Sequence, residues 1–67
     1  MVINNKKYVI STKGFPLKFN DENGNQVDNI EDAFFYRSIG EADDTLTYSY
    51  DKPEQYQIIK VDITYEF

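Results

Sequence analysis

The chain has no cysteine, no histidine and no tryptophan, and only three glycines and two prolines in 67 residues. Without cysteine there is no disulfide, no thiolate nucleophile and no thiolate zinc site, so the staples of small secreted domains are excluded. Without histidine the commonest general base is missing as well. Gly14, Gly24 and Gly40 fit neither G-x-G-x-x-G nor a Walker loop, so nothing is spaced to wrap a nucleotide phosphate. No stretch approaches the roughly 20 apolar residues of a membrane-spanning helix, and Met1 to Lys7 lack the apolar run of a signal peptide. These absences lead to the expectation of a cytoplasmic protein without cofactor or metal.

A chain this short buries only about 60% of its unfolded surface, which is enough for one core and not for two, so residues 1–67 are read as a single domain. Six tyrosines and five phenylalanines are the efficient way for it to bury area. Charge is unevenly placed. Residues 1–19 carry Lys6, Lys7, Lys13 and Lys18 and no acid, whereas residues 20–54 hold ten carboxylates against Arg37 and Lys52, within an overall net charge of −5. Such an anionic middle repels phosphate backbones and acidic membranes, which disfavours direct nucleic-acid or membrane binding.

The clearest element is the last. Ile59, Val61, Ile63, Tyr65 and Phe67 alternate with Lys60, Asp62, Thr64 and Glu66, the period of a strand with one covered face. Lys7–Thr12 reads as a first strand closed by a turn at Gly14, and Phe15–Phe19 as a second, antiparallel to it and held to an edge by Pro16. Asn23-Gly24 predicts a type I′ hairpin turn into a short third strand at Asn25–Val27. Asp28–Arg37 changes to a helical period, with Ile30, Ala33, Phe34 and Arg37 on one face and Asp28 or Asn29 as N-cap. Ser38-Ile39-Gly40-Glu41 is a capping box, and Ile39, Ala42, Leu46 and Tyr50 make a helical stripe. Thr45–Tyr50 also alternates as a strand, so helix is preferred there but strand stays open. Asp51–Glu54 is then either a helix terminator or a hairpin loop. The fold class is α+β, a small antiparallel sheet with one or two short helices on one face.

In this order of pieces, Lys7–Ile10, the glycine turn into Phe15-Pro16-Leu17, Ile30–Ala33 with Tyr36, Ser38 through Glu41-Ala42, and Tyr56–Val61, the chain resembles the small early-region accessory proteins of temperate phages of Gram-positive bacteria. It departs from their pattern at Gly40 and along Thr45–Ser49. The resemblance implies a two-layer ββααβ-like unit, a location in the host cytoplasm and a host-directed or counter-defensive role, such as that of an anti-CRISPR protein.

Catalytic chemistry is poorly supplied. Ser11, Ser38 and Ser49 have no recognisable activating partner, and the pairs Glu31 with Asp32 and Asp43 with Asp44 diverge if they lie on helices. Aligning Gly24 with the glycine of an EF-hand puts Phe19 and Ile30 at the first and last ligand positions, so Asp21–Asn25 is a turn and not a calcium loop. The acids have two readings, a solubilising face or a surface offered to a basic groove on another protein, as in nucleic-acid mimicry. Glu31, Asp32, Glu41, Asp43 and Asp44 are the candidate contacts, with Tyr36 as aromatic anchor. The expected function is inhibition of a host protein by binding, with a nucleic-acid-handling complex as partner. The alternative is a structural or regulatory module that forms a homodimer or scaffolds an assembly through an aromatic patch or an open sheet edge.

Overall fold

A computed structural model describes residues 1–67. Two long strands, β1 (Val2–Thr12) and β4 (Tyr56–Glu66), pair antiparallel along their whole length, from Val2 opposite Glu66 to Thr12 opposite Tyr56. Two short strands, β2 (Phe19–Asn20) and β3 (Gln26–Val27), extend the sheet on the other side of β1, giving the order β3-β2-β1-β4. One α-helix, α1 (Ile39–Ser49), and two 3₁₀ turns, Ile30–Asp32 and Pro53–Gln55, complete the α+β fold.

The α-helix lies where the capping box predicts it: Ser38 is the N-cap, and its hydroxyl accepts from the Glu41 N–H at 3.2 Å. The competing strand reading of Thr45–Tyr50 fails because the helix runs to Ser49, and Tyr50 leaves it in extended conformation. The expected helix over Asp28–Arg37 is corrected. It is a single 3₁₀ turn, capped by Asn29 whose side chain accepts from the Glu31 N–H at 3.0 Å, and the chain is extended again at Ala33. Sheet pairing wins over helical period here. The Phe34 N–H donates to the Asn20 carbonyl at 3.0 Å, and Tyr36 exchanges two backbone hydrogen bonds with Tyr8.

The second strand is shorter than expected. Phe15 is 91% exposed, the Phe15–Pro16 bond is cis, and regular pairing with β1 is confined to Ser11 opposite Phe19. The turn at Asn23-Gly24 forms, but Gly24 alone has a positive φ, of 83°, so it is not type I′, which needs two such residues. Instead the Asp21 carboxylate accepts from the N–H groups of Asn23 and Asn25, each at 2.9 Å.

Both sides of the sheet are covered at its β2 end, where Val9 and Ile10, neighbours in sequence, are 0% and 1% exposed. Residues of opposite parity point to opposite faces. On the odd face Val9, Phe19 and Ala33 form the core with Leu17, Val27, Ile30, Phe35, Ile59 and Val61 packed against it. On the even face, α1 lies across β1 and β4, with Ala42 fully buried outside that cluster, and closes over Ile10 and Ile58. Burying a side chain of this size contributes about 1.5–3 kcal/mol. The alternation of the last strand predicts one covered side, and the apolar Ile58 beside Ile59 is what gives the second side its own core. The other end of the β1–β4 pair, Val2–Lys6 with Asp62–Glu66, runs beyond both layers as a two-stranded arm, and the molecule measures 42 × 25 × 19 Å. No helix is long and apolar enough to cross a membrane.

Candidate interaction surface

The five candidate carboxylates are all exposed. Glu31 and Asp32 sit in the 3₁₀ turn and complement the positive end of its backbone dipole. Glu41 lies in the first turn of α1 and does the same. Asp43 and Asp44 lie past that first turn, so capping does not account for them, and aspartate is a poor residue for a helix interior. At 100° per residue, Ala42, Thr45 and Leu46 face the sheet, which turns Asp43, Asp44 and Tyr48 outward. Tyr48 is 83% exposed and stands one turn beyond Asp44. The helix carries no lysine or arginine. The one ion pair of the molecule joins Lys18 to Asp28 and leaves the five candidates unpaired.

The fold separates these acids into two groups. Asp32 lines a shallow depression with Asp21 and Glu22, contributed by the turn between β2 and β3, whereas Asp43 and Asp44 ride on the outer side of α1. Sequence spacing had not placed Asp21 and Glu22 beside Asp32. Only the turn, which folds β3 back against β2, does so. Tyr36 is half-buried, its backbone held by Tyr8 and its ring edge-on to Phe34 at a centroid distance of 4.8 Å, so it is a fixed part of the framework. The aromatic that stands free beside the helical acids is Tyr48.

A second feature was not read from the sequence. An open cleft of about 380 Å³ lies between the end of α1 and the start of β4, lined by Asn20, Ser49, Tyr50, Asp51, Gln55 and Tyr56 among others. Tyr50 and Tyr56 meet edge to face, with centroids 4.8 Å apart. Asn20, only 4% exposed, donates its amide to the Tyr50 hydroxyl, and its Oδ1, sealed from solvent, has no partner. Burial of the Tyr50 hydroxyl, outweighing the Asn20 hydrogen bond, raises its pKa above 10.0. The only signal for this in the sequence is the parity of the strands: Phe19 on the odd face puts Asn20 on the even one, under the helix.

The surface can therefore offer unpaired carboxylates around an exposed ring on one side and, at the end of the long ribbon, an arm on which Met1, Val2, Ile3, Tyr65 and Phe67 are exposed among polar residues. On that arm Ile3 lies opposite Tyr65, and Met1 and Phe67 exchange two backbone hydrogen bonds of 2.8 Å. No family model matches the chain, and no curated protein or solved structure matches it either.

Proposed function

We propose that this chain is a non-catalytic, phage-type accessory protein that binds a host protein through the outer side of α1 and inhibits it by occupying a basic groove. The observation that carries the reading is the pair Asp43 and Asp44 next to the exposed Tyr48 on a helix without a cation. Neither aspartate caps the helix, neither is paired, and each lowers helix propensity. Their use is outward. Carboxylates at this spacing attract a lysine- and arginine-lined surface over long range and raise the association rate, while a tyrosine supplies the desolvated anchor that gives residence time. Asp32, with Asp21 and Glu22 around the neighbouring depression, extends the negative field.

Affinity capture from a Gram-positive host lysate, with mass spectrometry of what is retained, tests the reading. It predicts a nucleic-acid-handling protein among the retained species, and competition by added duplex DNA or RNA for the same groove. Retention that added nucleic acid leaves untouched contradicts the mimicry.

A further inference from the structure

The outer edge of β4 is unpaired over its whole length, because β4 is the last strand of the sheet. We infer that this edge is a self-association surface, on which a second copy of the chain pairs antiparallel with β4 about a twofold axis through Val61. The inference uses none of the acids of α1, so it stands or falls independently of the proposed inhibitory role.

Backbone geometry limits the registers first. In an antiparallel pair, residues that exchange hydrogen bonds alternate with residues whose N–H and C=O point away. Met1 and Phe67 exchange both of theirs, so along β4 the odd residues are turned toward β1. The N–H and C=O of Tyr8 are used on the opposite edge by Tyr36, which fixes the same parity independently. The even residues, from Tyr56 to Glu66, therefore present their backbone groups to the open edge. A second strand must pair even with even.

Side chains then choose among the registers this allows. An axis at Lys60 sets lysine against lysine, and an axis at Asp62 sets aspartate against aspartate, each directly opposite and destabilising. An axis at Val61 sets Lys60 against Asp62 of the second copy and Asp62 against its Lys60. On the other face it sets Ile59 against Ile63, twice, with Val61 against itself. Within each chain Asp62 already lies opposite Lys6, so the even face would carry alternating charge across the junction. An axis at Ile63 brings Lys60 to Glu66 but leaves Tyr56, Gln57 and Ile58 without partners.

Val61 is the midpoint of β4 (Tyr56–Glu66). Pairing about it lays the arm of each copy beside the covered half of the other, so every even residue from 56 to 66 finds a partner. This arrangement also accounts for the composition of the edge. Long edge strands are ordinarily guarded by proline, a bulge or uncompensated charge. β4 has no proline, and its ladder to β1 runs unbroken from Tyr56 to Glu66. Lys60, which lies opposite Tyr8 within its own chain, gains an unlike charge directly across from it only in a two-fold pair, the isologous contact of a dimer.

The absence of native cysteine makes the test direct. Facing residues at the axis have Cα atoms about 4.5 Å apart, within reach of a disulfide. Val61→Cys is expected to form a disulfide-linked dimer under mild oxidation at micromolar concentration, and Ile63→Cys is expected not to. In sedimentation experiments on the cysteine-free chain, Lys60→Asp should weaken dimerisation roughly tenfold or more, and adding Asp62→Lys with Lys6→Asp, which keeps unlike charges opposite each other within the chain and across the junction, should restore it. Thr64→Pro removes an outward N–H while leaving the β1 ladder intact, and should also give a folded monomer by circular dichroism. A wild-type chain that stays monomeric at all concentrations overturns the inference, as does cross-linking through Ile63→Cys in place of Val61→Cys, or a charge swap at positions 6, 60 and 62 that fails to restore the dimer.

Discussion

Tyr8 and Tyr36, 28 residues apart, hold each other by two backbone hydrogen bonds, Tyr8 N–H to Tyr36 C=O at 2.9 Å and Tyr36 N–H to Tyr8 C=O at 2.7 Å. This clasp holds the segment after the 3₁₀ turn along the edge of β1 that β2 also uses. It buries Ala33, and it leaves Glu31 and Asp32 on the outside. Replacing Tyr36 with proline removes one of the two donors, and a backbone carbonyl of Tyr8 loses its partner. Tyr36→Pro is expected to be about 1–3 kcal/mol less stable than Tyr36→Phe by urea denaturation, the phenylalanine variant keeping the backbone clasp.

The first turn of α1 depends on Ser38. Its hydroxyl satisfies an N–H that the helix itself cannot, so Ser38→Ala is expected to cost about 1 kcal/mol, and Ser38→Asp to be close to neutral. Denaturant midpoints at constant slope check this. Because α1 covers Ile10 and Ile58 while exposing Asp43 and Asp44, the alanine variant should also lose partner capture in proportion to lost helix content.

Tyr50 gives the fold an alkaline weakness. Burial raises the pKa of its hydroxyl above the ordinary 10.0, so the neutral form is favoured in the folded state. The contribution is fully present below pH 10.0 and is lost as pH rises through the raised value. Tyr50→Phe removes the titrating group and the partner of the Asn20 amide together. The variant should be less stable than wild type by about 1–3 kcal/mol at neutral pH. It should also lose less stability on going to strongly alkaline solution, so that the gap narrows there. A gap of constant width would show that the hydroxyl titrates as it does in the unfolded chain.

What could be read in the sequence was what depends on local chemistry. The alternation from Ile59 onward and the Ser38–Glu41 box each specify an element within a dozen residues, and both form where expected. Asp28–Arg37 misled because a 3₁₀ turn followed by an extended segment can place Ile30 and Ala33 inward at the same spacing as a helix. Deciding between them requires knowing that Asn20 and Tyr8 have edge groups to fill, which is long-range information. Val2–Lys6 was missed for the same reason. Asn4, Asn5 and Lys6 are poor strand formers, and only the register with β4 reveals them, with Asn4 accepting from the Thr64 hydroxyl at 2.9 Å and Lys6 opposite Asp62. The exposure of the candidate acids was evident from their types. Their division into two groups was not, since it follows from how β3 folds back.

In the proposed inhibitory role the outer side of α1 acts through its charge. The measurement is retention of the captured host protein by the immobilised chain at about 50 mM and about 500 mM salt, for wild type and for the variant Asp43→Lys with Asp44→Lys. Strong retention by wild type is expected at the lower concentration, release at the higher, and no retention by the charge-reversed helix, with circular dichroism unchanged. Equal retention by both proteins, indifferent to salt, would contradict it.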